Sequence, residues 1–192
     1  RNAKYKFDKN YSAPLKEFIK TFGNLENLGT WFYFPWINSI IHFLPEDMHF
    51  EMRTGRNKNL ITKEEQEKYY NSRVGILGMS VGSHVAMTLA MTGGTKNIKI
   101  ADFDILSGSN LNRIRTGYHN IGVPKVHIVA RDIYLMNPYA NVKAYPEGLT
   151  KENMQDFLMG EGKLNCLVEE MDNPFLKLKV RLLLIQNINM KF

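Results

Sequence analysis

Only one cysteine, Cys166, occurs in the 192 residues, so the chain has neither an intrachain disulfide nor a Cys-only zinc site. That scarcity fits a reducing, cytoplasmic setting. Cys166 lies in the apolar stretch LNCLVEE, read as a buried strand in which the thiol acts as a small hydrophobe. Long apolar runs are missing too. The most apolar stretch, Trp31 to Leu44, covers 14 residues and is broken by Pro35, Asn38 and His42, short of the about 20 that a membrane-spanning helix needs. It reads as packing surface. The N-terminus lacks the basic start, apolar run and small-residue cleavage site of a secretory signal. The chain opens on Arg1 and reads as a piece of a longer protein. Charge of one sign is never concentrated. The net +6, from 25 Lys and Arg against 19 Asp and Glu, is spread along the sequence. It points to an anion such as a nucleotide, or to an acidic partner, rather than to nucleic acid.

What is present is ordinary for a folded domain: 44% hydrophobic and 23% charged residues. Residues 1–60 form an appendage without alternating strands and helices. Within it Leu15, Phe18, Ile19 and Phe22 share one face of a helix after Pro14. Thr62 to Glu65 matches a capping box opening a short helix to about Tyr70. From Arg73 the pattern becomes strand (VGIL), glycine turn, apolar helix (His84 to Met91), a Gly93-Gly94 stop and a second strand (NIKIADFD). A helix carrying Val126, Val129, Ala130 and Ile133 follows Pro124, then a strand from Val142 to Tyr145. A short helix begins near Thr150, a strand runs from Leu164 to Glu169, and a Leu-rich helix starts at Pro174. Residues 61–192 therefore predict a doubly wound α/β domain of Rossmann-like type, a mainly parallel sheet with helices on both faces. The appendage reads as mostly helical.

The segment from Gly75 to Gly82 joins a strand to a helix, where glycine lets the backbone turn sharply and approach a ligand. Free N–H groups and the positive end of the helix dipole then favour an anion. Asp102, at the end of the second strand, is placed to accept from ribose hydroxyls, or else to cap the next turn. On this loop alone, a nicotinamide or flavin dinucleotide fits almost as well as ATP, and structural glycines without any ligand are a third reading. An NAD-binding oxidoreductase domain and a non-catalytic nucleotide-binding or dimerisation module thus remain open here.

Four polar motifs follow in order: Asp102-Phe103-Asp104, Ser109-Asn110-Leu111-Asn112-Arg113, Gly122-Val123-Pro124-Lys125 and Met171-Asp172-Asn173. The set resembles the ThiF and MoeB adenylyltransferases, relatives of ubiquitin-activating enzymes, over about residues 53 to 187. The resemblance implies an ATP-dependent enzyme that activates a carboxylate as an acyl-adenylate and releases pyrophosphate, with ATP and Mg²⁺ as cofactors. It implies that Lys125 contacts the α-phosphate and that Arg113 and Asn110 hold the β and γ phosphates. Asp172 is implied as the Mg²⁺-associated acid and Asp102 as the ribose acceptor, with Gly78, Ser80, Gly82 and Asp104 lining the nucleotide. Arg56, in the run RTGRNKN, resembles an arginine that crosses a dimer interface to the other protomer's triphosphate, which implies a homodimer. The implied acceptor is a small ubiquitin-like or sulfur-carrier protein. Each role has a plainer rival: Lys125 as a first-turn residue, Asp172-Asn173 as an N-cap, and Arg53 or Arg115 in place of Arg56 or Arg113.

The sequence departs from that family in two ways. The usual Gly-x-Gly-Gly-x-Gly loop is one residue shorter here and lacks its middle glycines, and the Cys-x-x-Cys zinc pairs of many relatives are absent. The resemblance also implies a domain that continues past this chain's C-terminus. The stretch from Trp31 to Lys58 more loosely resembles a bacterial ThiF-like subgroup sometimes fused to a nitroreductase-like domain.

Overall fold

The computed structural model describes residues 12–187, which fall into two compact units, one ending at Lys63 and one beginning at Glu64. The first unit opens with α1 (Ser12–Phe22), whose Phe18 and Phe22 rings meet at 4.8 Å. A hairpin follows, β1 (Thr30–Phe34) antiparallel to β2 (Ser39–Phe43), with Trp31 opposite His42 and Tyr33 opposite Ile40. Asn38 closes it in the left-handed region at φ 47°, a conformation that Asn tolerates better than most residues. The Trp31 and His42 rings stack at 4.3 Å. α2 (Glu46–Thr54) carries Glu46 and Asp47 in its first turn and Arg53 in its last, the charge order that its dipole favours.

The hairpin stands where the sequence shows no strand periodicity, and the cause is composition. Trp31 and Tyr33 are exposed while Phe32 and Phe34 turn inward, but all four are aromatic. The two-residue alternation of a strand leaves no trace in hydrophobicity.

In the second unit α3 (Lys63–Asn71) leads into β3 (Arg73–Leu77), α4 (Gly82–Met91) and β4 (Asn97–Ala101). Then come α5 (Lys125–Met136), β5 (Asn141–Tyr145), α6 (Met154–Met159), β6 (Cys166–Glu169) and α7 (Pro174–Asn187). The four strands are parallel in the order β5-β4-β3-β6. Alternate residues of each strand feed opposite faces. Ile76, Ile98 and Ile100 pack with Ala86 and Ala90 of α4 and Val126, Val129 and Ile133 of α5. Their neighbours Leu77, Ala101 and Tyr145 pack on the other face with Met154, Phe157 and Leu158 of α6 and Val180 of α7. The fold is thus the α/β sandwich with a Rossmann-like parallel sheet that the sequence predicts. Among the described residues, no helix is long and apolar enough to cross a membrane.

On the second face, β4 buries a lysine. The Lys99 ammonium donates to the carbonyls of Asp156 (2.9 Å), Phe157 (3.1 Å) and Gly160, closing the C-terminal end of α6. Burial pushes its pKa down, and the Asp156 carboxylate opposes that shift. A cation at the negative end of a helix dipole, with carbonyls as acceptors, is the compensation that a buried charge requires.

One expectation is corrected. Cys166 is exposed rather than buried. It is the first residue of β6, which among the described residues pairs only with β3, so the strand's start is an open edge.

Candidate nucleotide-binding site

β3 runs out at Leu77, and the chain turns at Gly78 into the loop before α4. Gly78 has φ 86°, and a Cβ there would lie 2.5 Å from the Glu170 carbonyl oxygen. Only glycine meets both conditions. At Gly82 a Cβ would lie 2.8 Å from Ile76 Cγ2, so the missing side chain is what lets α4 start against the sheet. Among the described residues, no side chain caps α4. Its first-turn N–H groups thus meet the C-terminal end of the sheet without a side-chain acceptor, the arrangement that suits an anion. The short Gly78-to-Gly82 loop keeps this feature despite its missing glycines.

Asp102 follows the last residue of β4 and is buried. One carboxylate oxygen accepts the Met79 N–H at 2.5 Å and the other the Asp104 N–H at 2.7 Å. The first bond fastens the glycine loop to the next strand. The second is an Asx-type turn that ends β4. A ribose would therefore share oxygens already engaged by backbone, so turn-capping and ribose recognition are compatible at this residue.

Asp104 is half exposed and faces the buried Lys125 at the start of α5, with Nζ 2.6 Å from Oδ2. The lysine is not the exposed first-turn residue of the plainer reading. Asn110 is buried too: its Oδ1 accepts the Ser107 N–H at 3.0 Å, leaving only Nδ2 to offer a phosphate.

Arg113 ties these parts together. Its Nε donates to Ser80 Oγ of the glycine loop at 3.0 Å, and Nη1 donates to Asn112 Oδ1 at 3.0 Å and to the Ser109 carbonyl at 3.4 Å. Its own N–H donates to the Asn110 carbonyl, and its carbonyl lies 2.6 Å from His84 Nε2 in the first turn of α4. Sequence reasoning passed over His84. The only cue was a polar ring directly after Gly82-Ser83 in an otherwise apolar helix.

Asp172 lies past the end of β6, two residues beyond the Glu170 carbonyl that packs on Gly78. It is exposed, and among the described residues no group engages its carboxylate. Asn173 caps α7 instead, accepting from the N–H groups of Phe175 (3.0 Å) and Leu176 (3.2 Å). Gly78, Ser80, Gly82, Asp102, Asp104, Asn110, Arg113 and Lys125 are thus gathered at one end of the sheet, with Asp172 beside them. Arg56 belongs to the first unit, exposed in the turn after α2. This end of a parallel sheet, where β4 and β6 flank β3 and the strand order reverses, is where open α/β folds bind ligands.

The sequence matches the model of the ThiF family over residues 54–188. It is 38% identical over 157 residues to the uncharacterized protein MT1398 of Mycobacterium tuberculosis, covering 82% of this chain and 22% of that protein. It is 32% identical over 119 residues to tRNA threonylcarbamoyladenosine dehydratase 2 of Saccharomyces cerevisiae, covering 61% of this chain and 26% of the relative. This chain thus spans about a quarter of either relative's length. The crystal structure of the E. coli tRNA N6-threonylcarbamoyladenosine dehydratase TcdA in complex with ATP shares the fold. Its TM-score is 0.65 at 24% identity, over 71% of this chain and 56% of that one.

Proposed function

The chain belongs to the ThiF family, and from that premise we propose that it binds ATP at the C-terminal end of its sheet and transfers the adenylyl group to a carboxylate. A carboxylate oxygen forms a bond to the α-phosphorus, the bond from that phosphorus to the bridging oxygen breaks, and pyrophosphate leaves with the electron pair. Negative charge grows on phosphate oxygens during that step, so fixed cations and N–H donors lower its barrier. The observation that carries the reading is the clamp of Arg113 on Ser80, which holds a guanidinium beside the uncapped start of α4.

In this reading the uncapped turn and Arg113 hold the β and γ phosphates, with Asn110 Nδ2 as a further donor. Lys125 meets the α-phosphate, and the Asp104 carboxylate keeps its ammonium in place until then. Asp102 orders the glycine loop and takes the ribose. Asp172 fits Mg²⁺, an ion that commonly takes one or two protein carboxylates and completes its shell with phosphate and water. Its carboxylate is exposed and, among the described residues, unengaged, so it is open to an ion. When bound, the ion would neutralise charge on the phosphates. The same reading makes the protein a homodimer in which Arg56 of one protomer reaches its partner's triphosphate, and residues 61–192 the nucleotide-binding domain.

The acceptor we favour is the C-terminal carboxylate of a small ubiquitin-like or sulfur-carrier protein. The name of the yeast relative favours a second acceptor, since a threonine-derived group on a tRNA nucleoside also carries a carboxylate. Exchange of labelled pyrophosphate into ATP tests the reading, run with a carrier protein ending in glycine and, separately, with tRNA bearing the modified nucleoside. Exchange that needs one acceptor identifies it. Binding of NADH without any response to ATP and Mg²⁺ would overturn the reading in favour of a dinucleotide-binding domain. Binding of ATP with no exchange on either acceptor would leave a nucleotide-binding module.

A further inference from the structure

We infer that His84 is a positioning residue that sets Arg113 for the phosphate tail of the nucleotide, an inference that rests on the ATP reading above. The His84 Nε2 lies 2.6 Å from the Arg113 carbonyl oxygen and joins residues 29 apart in sequence. A carbonyl oxygen only accepts, so Nε2 carries the proton of this bond. Ser80, four residues earlier in the glycine loop, accepts from Nε of the same arginine at 3.0 Å. The Ser80 carbonyl in turn accepts from Ser83 Oγ at 2.8 Å. Arg113 is therefore held at two points, its main chain by His84 in the first turn of α4 and its side chain by Ser80 in the loop just before that helix.

Nε and Nη1 are occupied, and among the described residues no hydrogen bond is made by Nη2. That nitrogen is the part of the fork left for an anion. An arginine whose main chain is pinned loses less freedom when it meets a phosphate than one on an untethered loop. His84 is half buried, and its hydrogen bond to the 108–113 segment is a task that a purely packing side chain would not have.

The test measures the affinity of the full chain for ATP with Mg²⁺ and, separately, for AMP. H84A removes the donor; H84L removes it while keeping bulk, and serves where H84A fails to fold; H84Q returns an N–H at similar reach. H84A should bind ATP about tenfold more weakly, the equivalent of one good hydrogen bond, with AMP affinity unchanged. H84Q should recover most of the loss. In an R113A background, H84A should add nothing, because the histidine acts through that arginine. Unchanged ATP affinity in H84A or H84L, or an undiminished effect of H84A on top of R113A, would overturn the inference alone. An unmutated chain without ATP affinity would remove the nucleotide reading, and this inference with it.

Discussion

Asp104 and Lys125 meet twice: the Lys125 N–H donates to the Asp104 carbonyl at 3.0 Å, and the Lys125 ammonium lies 2.6 Å from the Asp104 carboxylate. The lysine side chain is 5% exposed and the aspartate 50%, so a nearly buried cation depends on a carboxylate that water also reaches. D104A should destabilise the fold by about 1–2 kcal/mol, less than a fully buried pair would lose because solvent screens the aspartate. K125M should cost less, since it removes the charge and keeps the bulk, yet it should abolish pyrophosphate exchange. Urea unfolding and the exchange assay separate the two effects. A D104A variant as stable as the parent would show that the lysine needs no partner.

D102N tests the anchoring of the glycine loop. Both Asp102 oxygens accept backbone N–H groups, so an amide must turn its NH₂ toward one of these donors. The expected loss is about 1–3 kcal/mol in urea unfolding, together with faster hydrogen exchange at the Met79 or Asp104 amide. An unchanged unfolding midpoint would mean that the loop holds without the carboxylate.

Gly78 and Gly122 share a φ of 86° but differ in surroundings. A Cβ at Gly78 would strike the Glu170 carbonyl oxygen at 2.5 Å, while nothing lies within 4 Å at Gly122. G122A should therefore cost only the left-handed conformation, about 1–2 kcal/mol. G78A should cost clearly more, because the end of β6 must move. Thermal melts of the two variants compare them directly, and equal losses would contradict the close approach.

Lys143, Tyr145 and Asp156 form a pH-dependent group where β5 meets α6. Asp156 Oδ2 accepts from Lys143 Nζ at 2.8 Å and Tyr145 Oη at 2.7 Å. The Lys143 hydrogen bond, followed by that of Tyr145, holds the Asp156 carboxyl below its ordinary range. Its contribution to stability is present above the unfolded value of about 3.9 and is lost as pH falls through the lower folded value. Lys143 is shifted upward, chiefly by its hydrogen bond to Asp156. Its contribution is complete below about 10.4 and fades as pH rises through the folded value. Burial, with the Asp156 hydrogen bond, pushes Tyr145 up to about 12. D156N should flatten the acid limb of a stability-versus-pH curve, and a limb of unchanged slope would exclude Asp156 as its source.

Cys166 gives a simpler measurement. Because it is exposed, a thiol reagent should modify it in the folded protein without denaturant, and C166S should bind ATP as the parent does. Labelling that requires unfolding would restore the buried strand that the sequence suggested.

The parallel sheet was legible because its strands are short apolar runs between glycine turns and helices, a pattern that burial on both faces enforces. The motif residues from Asp102 to Arg113 were legible as candidates, but their present partners were not. Nothing in DFD shows that Asp102 spends both oxygens on backbone, or that Asp104 rather than a ligand faces Lys125. The bond from Met79 to Asp102 and the Asp104–Lys125 pair span 23 and 21 residues and exist only once the strands align. The exposed Cys166 was misread because strand ends and edges look like strand centres in a short apolar run. His84 was missed because its partner is a backbone carbonyl, which no sequence pattern marks.

The Lys99 ammonium bears on the order of assembly. α6 has only six residues, too few to persist alone, and its carboxyl end is tied to a side chain 57 to 61 positions earlier in the chain. Its hydrogen bonds cannot be secured until β4 has been laid into the sheet. Pulse-labelling exchange during refolding should therefore show the α6 amides protected after those of β4, and K99M should delay them further while leaving the β3 and β4 amides on time. A helix about eight-tenths of the way along the sequence would thus act as a late clasp on a sheet begun much earlier.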